Sequence, residues 1–264
     1  PNPDWSRKFS PHHEIKAYLR RCAEQFGIVP MLRLSTGVDR AHWREEQGHW
    51  ELSLANGEQV TARSVVSALG QLNLPRIPDF PGQQDFTGHS FHSARWDHDY
   101  DLAGKRVAII GNAASALQFI PHVAEKASQV HVYQRSPNYV VRRNDRAYRD
   151  WEKALFRRVP LTQKALRLLT YLRGEWVFYP VLRKSGRWIL PLWKKMTRGY
   201  LEEEISDPTL RRALTPDYPI GCKRILVSDD YYGAFRRDNV ELVCSPITGF
   251  GADGVQTEDQ LERP

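Results

Sequence analysis

The run Gly111-Asn112-Ala113-Ala114-Ser115-Ala116 stands between a short apolar segment, Arg106–Ile110, and a stretch of helical period from 114 to about 127. A tight turn from a strand into a helix presents backbone N–H groups to a pyrophosphate at the helix N-terminus. Gly111 can make the turn, and Ala116 takes the place of the last glycine of such motifs. Ala113 occupies the middle position, where backbone must approach phosphate, and its methyl group weakens the match. Asn112 and Ser115 complete the candidate cofactor contacts. A second strand, Gln129–Tyr133, leads to Gln134-Arg135-Ser136 and carries no carboxylate at its end for a ribose 2′-hydroxyl. A guanidinium fork suits a 2′-phosphate instead, so Arg135 with Ser136 points to NADP(H). The same residues also fit a βαβ unit that binds no nucleotide, with Arg135 on its surface.

These groups need a scaffold. The two strands and the helix between them form one βαβ unit of about thirty residues. Upstream, Ser10-Pro11 reads as an N-cap and first helical residue, Ile15, Tyr18, Leu19, Cys22 and Phe26 recur at helical spacing, and Gly27 reads as the cap that ends the helix. Strands are expected at 31–35, 49–54 and 59–67, with Asn56-Gly57 as a hairpin turn. The last runs into an apolar strand at 65–70. Pro75, Pro78 and Pro81 then mark a linker. Beyond the βαβ unit, residues 148–201 have a helical pattern interrupted at Pro160, Gly174, Pro180, Gly186 and Pro191. Strands follow at 225–227 and 240–243, with a short helix at 229–236 between them.

With 264 residues, 41% of them hydrophobic and 26% charged, the chain has globular composition. Its mean hydropathy is −0.56, and no apolar run reaches the ~18 residues of a membrane span. Three scattered cysteines exclude a disulfide framework and suit a reducing, cytoplasmic setting. His89, His92 and His98 lack a standard metal spacing, and no metal site is expected. The net charge is +7, but residues 141–200 hold sixteen Lys or Arg against four Asp or Glu, a local +12, which leaves the remainder net −5.

One further motif is specific. Phe86-Thr87-Gly88-His89-Ser90-Phe91-His92-Ser93-Ala94-Arg95-Trp96-Asp97 resembles the FxGxxxHxxxW(P/D) fingerprint of type I Baeyer–Villiger monooxygenases, with every fixed position (Phe86, Gly88, His92, Trp96, Asp97) matched just before the nucleotide turn. Ala68-Leu69-Gly70-Gln71 resembles the family's Ala-Thr-Gly strand end between its FAD and NADPH domains, with Leu69 replacing Thr. Tyr133 to Pro137 is similar to the strand end that grips the 2′-phosphate, and Tyr218 to Arg224 to the segment with two functional cations.

The resemblance implies an α/β, two-dinucleotide-binding-domain flavoprotein. Residues 1–70 would be part of the FAD domain, 71–140 and 221–257 a Rossmann-like NADPH domain, 141–220 a helical insert and 258–264 a tail. It implies FAD and NADP(H) as cofactors and O2 with a small ketone or sulfide as substrates. One oxygen atom would enter the ketone by way of a C4a-peroxyflavin, giving an ester or lactone. Lys223 would reach the 2′-phosphate and Gln71 the cofactor, while Arg224 would be the catalytic cation, since arginine effectively cannot shed its charge. His92 and Trp96 would position the linker and the turn rather than act as acid or base. The family's first GxGxxG, its acidic active-site residue and its later FAD segment are absent, which implies an internal piece that neither holds FAD tightly nor turns over alone.

For the basic stretch, the family pattern favours a helical insert with Trp and Leu inward and Arg outward. The other reading is an amphipathic surface that touches anionic lipid. No nucleic-acid-binding motif accompanies the charge. Two other functions stay open: a flavin monooxygenase acting at nitrogen or sulfur, and a non-catalytic basic module that binds membrane or nucleic acid.

Overall fold

The computed structural model describes residues 2–259, apart from the side chains at 182, 184, 185 and 187, and the backbone of 262–263. The chain divides into two compact units, residues 10–74 and residues 3–9 with 75 onward.

In the first unit, helix α1 (His12–Gln25) starts one residue later than Ser10-Pro11 suggests: Pro11 is the extended cap residue and no side chain caps the helix. Its end fits the sequence. Gly27 has φ 64°, and the Gly27 and Ile28 N–H groups donate to the Glu24 and Ala23 carbonyls, the paired bonds of a left-handed helix stop. Strand β1 (Val38–Arg44) pairs antiparallel with β2 (His49–Leu54), which pairs with β3 (Gln59–Ala62) across the Asn56-Gly57 turn, where Gly57 has φ 85°. Two expectations fail. Residues 31–35 form no strand, because Pro30 opens a single 3-10 turn at Val29–Met31 and the strand starts only at Val38. The run 59–67 ends as a strand at Ala62, and 65–70 finds no partner strand among the described residues.

In the second unit, β4 (Arg106–Ile110), α2 (Ala114–Lys126) and β5 (Gln129–Tyr133) form the expected βαβ unit, the strands parallel in register from Arg106↔Gln129 to Ile110↔Tyr133. The chain then leaves the sheet through β6 (Val140–Val141). It passes α3 (Asp150–Arg158), α4 (Pro160–Arg173), irregular helical turns over 174–189, α5 (Leu190–Glu204) and α6 (Pro208–Ala213). It returns through β7 (Leu226–Val227), which pairs parallel with β6. Pro160 and Pro191 begin helices rather than break them, since the missing N–H falls where no intrahelical partner exists. The expected helix at 229–236 shortens to α7 (Tyr231–Ala234), and the chain beyond it continues in i→i+3 turns. β8 (Val240–Val243) adds to β5 in parallel, completing the order β4-β5-β8. Strands β9 (Ile247–Phe250), β10 (Val255–Thr257) and β11 (Glu262–Arg263) form an antiparallel sheet. Of the expected tail at 258–264, residues 260, 261 and 264 lie outside the described residues.

The architecture is α/β. Its main core packs Leu117, Ile120 and Val123 of α2 against Val130 and Val132 of β5, joined by Tyr200, Leu201, Ile205 and Leu214 from the helical excursion. A second cluster centres on Trp193, 1% exposed, with Val141, Val181, Ile189 and Ile220. The inward-Trp reading therefore holds for Trp193 alone among the segment's four tryptophans: Trp151, Trp176 and Trp188 are exposed, and α4 buries no residue. Among the described residues, no helix is long and apolar enough to cross a membrane.

Candidate functional site: a phosphate turn and a cationic clasp

Gly111 ends β4 with φ 101°, a region costly to residues with a side chain, and no atom lies within 4 Å of where its Cβ would stand. The turn is therefore open on the side where a ligand would lie. Ala113 is the extended N-cap residue of α2, and no side chain satisfies the first N–H groups of that helix. Ala113 and Ser115 are exposed at this lip, whereas Ala116 is buried in the main core. The two alanines thus have different duties. A small residue at 116 lets helix and sheet approach, while the Ala113 methyl faces open space.

Asn112 is buried and ties the turn to the end of β5. Its Nδ2 donates to Gln134 Oε1 at 2.7 Å and to the Ser136 carbonyl at 3.2 Å. Asn138 Nδ2 donates to the Asn112 carbonyl at 2.9 Å. Gln134, also buried, donates to the Ala213 carbonyl at 2.9 Å. The Tyr231 phenol hydrogen-bonds Asn112, and burial pushes its pKa up.

The two cations expected at the 2′-phosphate differ in their surroundings. Arg135 is exposed and has no hydrogen bond or ion pair among the described residues. Lys223 Nζ donates to Ser136 Oγ at 2.5 Å and lies 4.6 Å from the centre of the Tyr218 ring. Two phenols hold segment 218–224 against residues 136–139. Tyr139 donates to the Tyr218 carbonyl at 2.7 Å, Tyr218 donates to the Pro137 carbonyl at 2.8 Å, and their rings meet edge to face. Burial raises both phenol pKa values, so each stays a neutral donor. Arg224, next in sequence, is exposed and carries no hydrogen bond or ion pair among the described residues.

The fingerprint residues are structural in their contacts. The Phe86 ring packs edge to face on Phe250 of β9, and a Cβ at Gly88 would stand 2.4 Å from Phe86 Cζ. His92 Nδ1 accepts the Ala94 N–H at 3.1 Å, capping a short turn at Ser93–Arg95. Trp96 meets the Phe119 ring of α2 at 5.2 Å, so it braces the helix that carries the turn. Asp97 pairs with His89 Nε2 at 2.9 Å; the Asp99 N–H and His89 hold its carboxyl below the usual range. Gln71 is exposed in the 10–74 unit.

The structure thus brings together Gly111, Asn112, Ala113, Ser115, Ala116, Ser136 and Lys223, with Arg135 adjoining in sequence. Sequence reasoning missed Gln134, Asn138, Tyr139, Tyr218 and Tyr231 as parts of the site. Gln134 had one visible signal: an amide between a buried strand and a proposed phosphate ligand, where surface position alone gives no reason for it.

A family model described as flavin-binding monooxygenase-like matches residues 1–173. A Baeyer–Villiger monooxygenase of Streptomyces coelicolor is 43% identical over 264 residues, covering 98% of this chain and 50% of that protein. A Baeyer–Villiger monooxygenase of Pseudomonas aeruginosa is 40% identical, covering 99% of this chain and 49% of its own length. The chain therefore spans about half the length of these curated relatives. Among solved structures, an oxidized steroid monooxygenase bound to NADP superposes with TM-score 0.84 at 30% identity, covering 98% of this chain and 57% of that one. OTEMO in complex with FAD and NADP superposes with TM-score 0.82 at 28% identity, covering the same shares.

Proposed function

Because the chain belongs to the flavin-binding monooxygenase-like family, we propose that it serves an FAD- and NADPH-dependent monooxygenase that inserts one oxygen atom of O2 into a ketone, giving an ester or lactone. The observation that carries the reading is the open Gly111 turn with the Ser136–Lys223 contact beside it, in a chain similar to Baeyer–Villiger monooxygenases. In this proposal residues 1–70 belong to an FAD domain, and Gln71, the first residue after it, contacts the cofactor. Residues 71–140 with 221–257 form the NADPH domain, and 141–220 the insert. Three free cysteines suit the reducing cytoplasm.

The residues present fit NADPH. The uncapped first turn of α2 offers N–H groups and a positive helix end to the pyrophosphate. The room beside Gly111 admits the ligand, and Asn112 fixes the turn from beneath. Arg135 has a free guanidinium for a 2′-phosphate, and Lys223, pre-set by Ser136 and the Tyr218 ring, adds a second charge. Bound NADPH would supply the hydride, and FAD the oxygen-activating chemistry. Arg224 would set a permanent positive charge toward the oxygen of the ketone as negative charge develops on it. The phenols of Tyr139 and Tyr218, kept neutral, orient the segment that carries both cations.

The test uses the full-length enzyme with a panel of ketones and sulfides. Substrate-dependent NADPH and O2 consumption with ester product is expected. Oxidation of sulfur or nitrogen without any ester sinks the ketone assignment. For Arg224→Ala, normal folding and flavin reduction with loss of ester is expected, and ester formation that survives removes Arg224 from its role.

A further inference from the structure

Helix α4 presents Leu161, Ala165, Leu168 and Leu172 at spacings that place them on one stripe, with Leu169 beside it. Leu161 is 70% exposed and Leu168 56%. Lys164 and Arg167 lie along one margin of that stripe, and Arg173 ends the helix. The chain continues into a shallow aromatic cavity of about 470 Å³ lined by Trp176, Tyr179, Arg183 and Trp188, with Trp176 71% and Trp188 70% exposed. The Arg183 guanidinium stacks 4.5 Å above the Tyr179 ring. Charge along the segment is mostly of one sign: residues 160–188 contain six Lys or Arg and one carboxylate, Glu175, which also lines the cavity.

Each feature has a physical reading, and the readings agree. An apolar stripe bordered by cations suits the boundary between lipid headgroups and acyl chains. Tryptophan and tyrosine favour that same depth, since each has an apolar body and a polar edge. Cations with almost no neighbouring carboxylate leave the field unneutralised, and an anionic surface complements it. A nucleic acid would answer the charge but not the exposed leucines. An acidic protein would answer both only with a matching apolar face.

We propose that α4 and the aromatic turn after it, 160–188, form a peripheral docking surface for anionic phospholipid. The helix lies in the plane of the interface and does not span it. The consequence is that apolar substrates dissolved in the bilayer meet the enzyme at its surface.

The full-length enzyme is mixed with vesicles of equal parts phosphatidylglycerol and phosphatidylcholine, and with phosphatidylcholine alone, and bound protein is measured by flotation. Binding to the anionic vesicles only is expected, weakened by salt and accompanied by a blue shift of tryptophan emission. The triple variant Lys164→Gln, Arg167→Gln, Arg173→Gln is expected to lose binding on the order of a hundredfold, since each surface cation contributes about fivefold. Trp176→Ser with Trp188→Ser is expected to weaken binding while flavin content stays normal, which separates loss of docking from loss of folding. No binding of the unaltered enzyme to anionic vesicles overturns the proposal, as it would if another part of the enzyme covered this face. Undiminished binding of the triple variant removes the role from α4. Binding to duplex DNA but not to vesicles overturns the lipid assignment.

Discussion

The Asn112 side-chain amide donates a 2.7 Å hydrogen bond to Gln134, so the turn after β4 and the exit from β5 are joined by two buried amides. Gln134 also holds the Ala213 carbonyl, and Asn112 also holds the Ser136 carbonyl. In the proposed NADPH site, the pyrophosphate and 2′-phosphate ends would therefore share a single polar joint. Replacing Gln134 by Leu leaves buried partners unmatched, at an expected cost of about 1–3 kcal/mol. A lowered denaturant midpoint with an unchanged slope would register it. In the full-length enzyme the KM should rise for NADPH and NADH alike, because the joint supports the turn common to both. A shift confined to NADPH would contradict this.

Arg135 and Lys223 make the opposite prediction. Each would contribute a charge-assisted bond worth about 1.5–3 kcal/mol to a 2′-phosphate. Arg135→Ala and Lys223→Ala should each lower the NADPH/NADH ratio of kcat/KM about tenfold or more. The ratio itself is the readout, and constancy in both variants would remove the phosphate from this site.

Acid should loosen the start of α3. Glu152 accepts two 2.7 Å bonds from Arg146 and one of 2.9 Å from the Arg149 N–H. The Arg146 bonds first, then the Arg149 N–H, hold its carboxyl at about 2 against an ordinary value of 4.5. A depressed folded-state pKa stabilises fully above pH 4.5, and that contribution is lost as pH falls toward about 2. Glu152→Gln should therefore be less stable than the parent near neutrality, and the gap should close through this window. Parallel melting curves as a function of pH would decide, and a gap that stays constant would rule the linkage out.

Two glycines near the fingerprint should differ in tolerance. A Cβ at Gly88 would meet the Phe86 ring at 2.4 Å, and that ring can swing away at the cost of its Phe250 contact. A Cβ at Gly82 would lie 2.3 Å from the Phe250 carbonyl oxygen, which is backbone, and Gly82 also has φ 72°. Gly88→Ala should cost about 1–3 kcal/mol as overpacking, and Gly82→Ala distinctly more. Thermal melts of the two variants give the order, and the reverse order would show that the ring is the stiffer neighbour.

The βαβ unit was legible because its signals are redundant. The β-branched residues Val107, Ile109, Ile110, Val130 and Val132 flank a helix whose buried face carries Ala116, Leu117, Ile120, Val123 and Ala124, with a turn glycine between. The Asn56-Gly57 hairpin was legible for the same local reason. Strand β1 was not: all seven of its residues are exposed, so no alternation of apolar and polar side chains marks it, and its pairing with β2 defines it. Strand β6 has two residues, too short for any period. The tight Gly111 turn between strand and helix could be read from spacing. The Asn112–Gln134 joint could not, because a hydrogen bond between residues 22 apart exists only once the two strands lie side by side.

The parallel pair of Val140–Val141 with Leu226–Val227, with the Tyr139–Tyr218 clasp beside it, has an evolutionary consequence. The polypeptide departs from the sheet and re-enters it through one doorway, its two jambs already fastened together. Whatever is hung between them adds little closure entropy as it lengthens, since that cost grows only with the logarithm of loop size. Helix α4, which buries no residue, can be shortened, extended or exchanged among descendants while Tyr200, Leu201, Ile205 and Leu214 keep filling the core, so surface chemistry can change over an unaltered frame of strands.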